Sequence, residues 1–299
     1  MYPVYPYYGK KEECKEKPLS FPPQHQDVQP GLEYQMVPRP ISEDPDYRGS
    51  GKLKGKVAII TGGDSGIGRA AAYAFVKEGA KVVIVYLNEH QDARETQERI
   101  RELGGESLFI AGDMRREDFS REIVEKTLHH FGRIDILVNN HGVQFVQKSI
   151  LDITREQLFD TFETNIFAFF YLTKAVLPHM KAGGSIINTT SVTAYEGHKD
   201  LIDYSSTKGA IVTFTRSLSL SLEKKGIRVN AIAPGPIWTP LIPASFSAKK
   251  VSEFGTDTPM KRAGQPFELA PAYVYLASDD SRYMSGQVLH INGGTMVSS

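Results

Sequence analysis

Tyr204 and Lys208 stand four residues apart in the run Tyr-Ser-Ser-Thr-Lys, a spacing that puts two side chains on one helix face about a turn apart. A phenol beside an ammonium group is a proton-transfer pair. Free tyrosine ionises near pH 10, and an ammonium ~5 Å away at an effective dielectric of ~20 favours the phenolate by about 3 kcal/mol, or ~2 pKa units. Such a phenol could take a proton from an alcohol, or return one to an alkoxide, close to neutral pH. Ser191 lies 13 residues before Tyr204, at the end of an apolar run. Its hydroxyl could bond the same reacting oxygen as charge develops there. Alone, each is a weak signal: Tyr-Lys pairs are common on solvated helices, and a Ser ending a strand is usually a cap.

A second chemical signal lies upstream. Thr61-Gly62, three residues, then Gly66-Ile67-Gly68 follow a Val/Ile run and precede a helical pattern. Glycine there allows a tight turn, close backbone approach to a pyrophosphate and close packing of helix on strand. The free N–H groups at the helix start then face the phosphate oxygens, and the helix dipole adds to the attraction. This context makes phosphate or dinucleotide binding the favoured reading over a purely structural glycine turn.

The elements that must carry these residues follow from the hydrophobic pattern. Apolar runs at 57–60, 82–86, 107–111, 134–138, 185–190, 227–232 and 287–291 predict strands, with helices between them at 66–78, 91–103, 117–131, 155–181, 204–225 and 267–277. Strictly alternating β and α, with strands apolar on both faces, implies an α/β fold: one domain at 51–299 with a doubly wound parallel sheet of about seven strands. Residues 1–50 differ in character. They hold nine of the 17 prolines and three of the 26 glycines, a composition that cannot build a packed element of its own. They read as an arm, disordered or laid extended over the domain, with Tyr34, Met36, Val37 and Ile41 as residues that could clip onto the body or a neighbouring subunit. The opening Tyr-Pro-Val-Tyr-Pro-Tyr-Tyr could be an aromatic segment for assembly.

Composition removes several functions. Among 299 residues, 35 basic side chains balance 35 acidic ones, so no basic surface is expected for nucleic acid. Cys14 is the single cysteine, which excludes an internal disulfide and a cysteine zinc site. The His residues lack metal-ligand spacing, so no metal is expected, and His129-His130 reads as a solvated helix face. No apolar run is long enough to span a membrane, and no Sec-type leader is visible. The expectation is a cytoplasmic globular protein.

The TGxxxGxG spacing resembles that of the short-chain dehydrogenases/reductases, and the resemblance extends over nearly all of 52–299. Its further matches are independent of the first: Asp113 after the third strand, Asn139-Asn140-His141-Gly142 after the fourth, and Pro234-Gly235-Pro236-Ile237-Trp238-Thr239 after the sixth. The similarity is strongest to glucose/ribitol-dehydrogenase-like bacterial members with a Pro-rich N-terminal arm. The resemblance implies a Rossmann-type fold and an NAD(P)-dependent oxidoreductase moving hydride between nicotinamide and a secondary alcohol or carbonyl, with a sugar or polyol among the possible substrates. It implies a catalytic set of Asn165, Ser191, Tyr204 and Lys208. In this family the helix Asn keeps a water linking the Lys to solvent, and the Lys also bonds the nicotinamide ribose. It implies a cofactor held by Gly62, Asp64, Ser65, Gly66, Ile67, Gly68, Tyr86, Asp113, Met114, Asn140, Gly142, Tyr204, Lys208, Pro234, Gly235, Ile237 and Thr239, with Asp113 against the adenine. His141 departs from the family's Ala and reads either as a packing variant against the turn or as a group near the nicotinamide ribose.

The choice of nicotinamide is set where the second strand ends. Tyr86 stands at the usual NAD-selecting Asp position and Leu87 at the usual NADP-selecting Arg position, while Ser65 is not basic. Without a basic clamp the reading is NAD or NADP, leaning to NAD with NADP tolerated. Glu89 could face the ribose or solvent. The stretch 238–265 corresponds to the family's substrate lid, in which Leu241, Ile242, Phe246, Val251 and Phe254 are either pocket walls or the lid's own core. The other wall would come from Ser191, His198 and the 192–203 loop. Phe167, Phe169, Phe170 and Tyr171 form a run too continuous for one buried stripe, consistent with the family's homotetramers. The alternative is a non-catalytic dinucleotide-binding protein, which predicts decay of the catalytic set, yet all four residues are present.

Overall fold

Val and Ile crowd their own helical turn but fit a pleated surface, and strands made of them bury side chains on both faces. A computed structural model describes residues 20–297, and in it such runs form seven strands: β1 (Val57–Thr61), β2 (Lys81–Tyr86), β3 (Ser107–Ala111), β4 (Ile136–Asn139), β5 (Ser185–Thr189), β6 (Arg228–Pro234) and β7 (Val288–Ile291). All pairings are parallel, in the order β3-β2-β1-β4-β5-β6-β7. The order reverses between β1 and β4, and ligands of open parallel sheets bind beyond the strand ends at such a reversal.

The helices are α1 (Gly66–Lys77), α2 (His90–Glu102), α3 (Glu117–Phe131), α4 (Arg155–Phe162), α5 (Ala168–Val176), α6 (Thr193–Glu196), α7 (Ile202–Leu222), α8 (Ala248–Ser252) and α9 (Pro266–Ala277). Alternation along each strand divides the core. Ala58, Ile60, Val82, Ile84 and Val138 meet α1, α2 and α9 on one face. Val57, Ile59, Val83, Val85 and Leu137 meet α3, α5 and the end of α7 on the other. Each fully buried Ile or Val contributes roughly 1.5–3 kcal/mol.

The long helix expected at 155–181 is not continuous. A π-helical turn at Glu163–Phe167 separates α4 from α5, and a 3-10 turn carrying Pro178 follows α5. Periodicity alone cannot show a single inserted residue per turn.

Residues 20–50 pack on the domain rather than standing in solvent. The Phe21 ring stacks on Trp238, with centroids 3.8 Å apart and planes within 7°. Phe21 and Met36 join Trp238, Ile242, Val251 and Ala263 in a small apolar core. The Trp238 indole N–H donates to the Pro38 carbonyl at 2.9 Å. Ile41 N–H donates to the Gln265 side chain at 2.8 Å, and its carbonyl accepts from Phe267 N–H at 3.0 Å. Of the four clipping residues expected, Met36 and Ile41 are buried and Tyr34 is half-buried, but Val37 is 58% exposed. The aromatic opening segment lies outside the described residues.

A polar latch holds the middle of the arm. Glu33, 1% exposed, accepts from Gly66 N–H at 2.6 Å and pairs with Arg69. Asp92 accepts from the N–H groups of Glu33 and Tyr34 at 2.7 and 2.9 Å. Removing one partner of a buried pair typically costs about 3–5 kcal/mol, because the other charge is left without compensation. The arm is therefore a structural part of the domain from about Phe21 onward.

Candidate active site

The phosphate turn is built so that glycine is required. Gly62 and Gly66 have φ of 59° and 51°, a left-handed conformation that costs little only without a side chain. At Gly68 a Cβ would fall 2.0 Å from the Gly62 carbonyl oxygen and 2.8 Å from the Asn140 side-chain nitrogen. Asn140 ties the turn to β4, donating from its side chain to the carbonyls of Thr61 and Gly62 at 3.1 and 3.2 Å. Thr239 packs against Gly66, where a Cβ would sit 3.2 Å from the Thr methyl. Of the first helical N–H groups, Gly66 donates to Glu33 and Arg69 to the Ser65 carbonyl. Among the described residues, those of Ile67 and Gly68 have no protein acceptor. Two free donors at a helix start, over a cradle any side chain would fill, fit a dinucleotide pyrophosphate.

The proton-transfer residues come from three elements and meet beyond the strand ends. Tyr204 and Lys208 lie in the first turns of α7, both buried, with the Lys208 nitrogen 5.4 Å from the Tyr204 ring centroid. Ser191, just past β5, lies near enough to the Tyr204 phenol to lower its pKa, and its Oγ accepts from Thr193 N–H at 3.2 Å. Lys208 donates to the Thr189 carbonyl at 3.0 Å. Asn165 sits in the π-helical turn and clamps Val143, accepting from its N–H at 2.8 Å and donating to its carbonyl at 2.8 Å. Its second amide proton goes to the Thr207 hydroxyl at 3.1 Å. This leaves the Asn165 side chain no donor for a water, only spare acceptor capacity on its oxygen. The clamp lays Gly142 against the site: a Cβ there would be 3.2 Å from the Asn165 oxygen and 3.5 Å from the Lys208 nitrogen. Asp203 opens α7 and accepts from Gln157 and Thr161 of α4, each at 2.9 Å, fixing the height of the Tyr-Lys helix.

The electrostatics correct one expectation. Lys208 does not by itself draw the phenol toward neutral pH. Burial pushes Tyr204 up to about 12, with the Ser191 hydroxyl opposing it, and burial pushes Lys208 down to about 7. Desolvation penalises both charges more than their separation rewards them. Protein groups alone thus hold a neutral phenol beside an amine that titrates near physiological pH.

Other expected residues take up more specific places. The His141 ring is buried against Phe169, with its Nδ1 2.7 Å from the Thr61 hydroxyl. Burial, and then the Lys208 charge, lower its pKa to about 3, so it serves as a neutral packing group against the turn. Arg115 chelates the Asp113 carboxylate, which is held below the usual carboxylate range despite its partial burial. Met114 is buried behind it. Gly235 is required by the sheet as well, since a Cβ would lie 2.5 Å from the Asn292 Cα. Tyr86, half-buried at the end of β2, has its hydroxyl 3.1 Å from the His90 Nδ1. Glu89 is buried rather than solvated, accepting from the N–H groups of Leu87 and Asn88 at 3.1 and 2.8 Å. Burial, and then the Glu89 charge, push the Asp64 carboxyl well above the usual range.

In the 238–265 stretch, Ile242 and Val251 pack with Trp238 and the arm, with Phe246 and Phe254 against them. These four side chains form a small core with the arm. Sequence reasoning missed Glu33, Arg69 and Asp203, and it met Thr61 and Thr207 only as members of their motifs, not as hydrogen-bond partners in the site. Glu33 meets Gly66 and Arg69, 33 and 36 positions away, and Asp203 meets Thr161 and Gln157, 42 and 46 away, so no local pattern marks these three.

Comparison with known proteins agrees with this geometry. Residues 62–296 match the family described as enoyl-(acyl carrier protein) reductase. The chain belongs to the short-chain dehydrogenase/reductase family. It is 52% identical over 283 residues to the glucose and ribitol dehydrogenase of Daucus carota, covering 93% of this chain and 97% of that one. It is 51% identical to the chloroplastic NADPH-dependent aldehyde reductase 1 of Arabidopsis thaliana, covering 92% and 98%. The crystal structure of levodione reductase superposes with a TM-score of 0.76 at 32% identity, over 81% of this chain and 98% of that one. A short-chain dehydrogenase from Burkholderia cenocepacia in complex with NADP gives 0.76 at 29% identity, over 82% and 99%. The chain is an NAD(P)-dependent oxidoreductase acting on a CH–OH or carbonyl group, and not a dinucleotide-binding protein without catalysis. Among the described residues no helix is long and apolar enough to cross a membrane, and no cluster of His, Cys, Asp or Glu could hold a metal.

Proposed function

We propose that the protein interconverts a secondary alcohol and its carbonyl with Tyr204 as acid/base, and that it prefers NAD(H). The observation that carries this reading is the meeting of Ser191, Tyr204, Lys208 and the Asn165 clamp beyond the β5 end, beside the glycine cradle. The bound nicotinamide would supply the hydride acceptor or donor. Tyr204 removes the alcohol proton in oxidation and returns it in reduction. Ser191 holds the substrate oxygen by a hydrogen bond that strengthens as negative charge builds there. Lys208, buried beside the phenol, stabilises the phenolate when protonated. Asn165 positions the Gly142 backbone against Lys208 through Val143. Tyr86, Asp113, Met114, Pro234, Gly235 and Ile237 line the remainder of the cofactor groove in this reading.

The carboxylate of Glu89 supports NAD. A 2′-phosphate brought to the end of β2 would meet this buried side chain, with the Asp64 carboxyl beside it held neutral by burial, and like-charge juxtaposition disfavours the phosphate. Arg94 is close enough for its charge to reach Tyr86, but it is exposed, and exposed ion pairs contribute at most about 1 kcal/mol. The names of the Arabidopsis and Burkholderia relatives point to NADPH and NADP, so the choice rests on this chain's own residues. Fluorescence titration should show NADH binding about tenfold more tightly than NADPH, a difference of about 1.4 kcal/mol. Equal or tighter NADPH binding would overturn the preference. A panel of polyols, sugars and aldehydes, followed by reduced-nicotinamide absorbance, tests the activity; the carrot relative's name makes polyols and aldoses its first members.

We also propose a homotetramer. Leu151, Phe159, Phe167 and Phe170 are exposed on α4, α5 and the segments beside them, and Phe170 is 51% accessible. A second copy would remove this apolar face from water. Light scattering should give four times the chain mass, and a monomer would refute it.

A further inference from the structure

The arm touches the 240–246 stretch, the segment after β4 and the glycine turn. We infer that Gln29 is a positioning residue for substrate binding: it ties the lid to the wall beside Asn165 and Lys208. This rests on the oxidoreductase reading above and adds to it a part of the chain outside the matched family region.

The geometry is specific. The Gln29 amide nitrogen donates to the Gln144 carbonyl at 2.5 Å and to the Ala244 carbonyl at 3.4 Å. Its oxygen accepts from Gln144 N–H at 3.4 Å. Gln144 follows Val143, the residue clamped by Asn165. Ala244 belongs to the lid, which the arm also holds through Gln26 N–H to the Pro243 carbonyl at 2.9 Å and the His25 ring to the Phe246 carbonyl at 2.8 Å. Gly31 lies so close to the lid that a Cβ would be 2.2 Å from the Pro240 oxygen. The wall is joined in turn to the 192–203 loop, because Gln147 N–H donates to the Asp200 carbonyl at 2.9 Å. Gln29 is the one side chain among these whose bonds reach both lid and wall.

Its loss would not release the arm. Phe21, Met36, Trp238 and the Glu33–Arg69 pair hold it on either side. The lid without its tie would spend more time away from the wall, and apparent substrate affinity falls by the fraction of time the lid is in place. Saturating substrate restores the closed arrangement, so turnover at saturation is preserved.

The test uses the full chain and two variants, Gln29→Ala and Gln29→Met, the second keeping the bulk without the polar atoms. Both should raise substrate KM about tenfold, as expected for losing one or two hydrogen bonds, with kcat and NADH affinity within twofold of wild type. Hydrogen exchange should quicken at lid amides 240–254 and stay unchanged in the sheet. Unchanged KM with unchanged lid exchange would overturn the inference. So would faster exchange throughout the sheet, which would mark Gln29 as a general stabiliser. If wild-type protein turns over no member of the panel, the activity reading fails; lid exchange in the variants still decides the tie.

Discussion

Tyr204→Phe should lower turnover about 10³-fold, within the range expected for a positioned general acid or base, and leave NADH affinity nearly unchanged. The ring that packs beside Lys208 is retained, and only the phenol oxygen near Ser191 is lost. Steady-state rates with the best panel substrate, set beside fluorescence titration of NADH, separate the two effects. Turnover equal to wild type would refute the acid/base role. The pH dependence has a fixed sign. Oxidation needs the phenolate, and burial holds Tyr204 near 12, so oxidation should accelerate as pH rises. Reduction needs the phenol and should fall only at alkaline pH. Lys208, pushed down to about 7, sheds its proton well before the phenol ionises, so Lys208→Met should lower the oxidation rate and abolish any step near pH 7 while leaving the alkaline rise in place. A profile that kept a step near pH 7 in that variant would remove Lys208 from the proton chemistry.

Gly68→Ala should weaken dinucleotide binding about 100-fold, corresponding to roughly 3 kcal/mol of overpacking. The added methyl would fall 2.0 Å from the Gly62 oxygen and 2.8 Å from the Asn140 nitrogen. Neither is the free end of a flexible side chain, so α1 must draw away from the turn and carry the Ile67 and residue 68 donors with it. Gly209→Ala is the matched control, because a Cβ there meets nothing within 4 Å. Alanine in that helix interior should be neutral or stabilise by about 0.4–1 kcal/mol. Equal affinity in Gly68→Ala and wild type would show that the turn does not hold the cofactor phosphates.

The Tyr204-Lys208 pair shows how far local spacing reaches. Four residues on a helix guarantee a shared face, and that face is what the sequence exposes. The effect of burial on both groups is not local. It depends on Ser191, Thr189 and the sheet end closing over them, and it reverses the direction expected for the phenol. The same contrast holds at Asn165. Its type and place are legible, but the π-helical turn that aims it at Val143 arises from packing between α4, α5 and α7. In the 238–265 stretch, composition left pocket wall and internal core as equal readings. Phe21 and Met36, more than 200 residues upstream of Trp238, join Ile242 and Val251 in a small core.

By itself the sequence determined the parallel sheet, the glycine turn and the chain order of the proton-transfer residues, because alternation of apolar runs and short-range spacing are written in neighbouring positions. Only the tertiary structure decided that an arm rich in proline packs against the glycine turn, that Glu33 and Arg69 pair beneath it, and that Asp64 and Glu89 lie close enough for their charges to interact. Those outcomes rest on charges and rings brought together from distant positions, where burial raises the cost of every unpartnered group and so selects the partners.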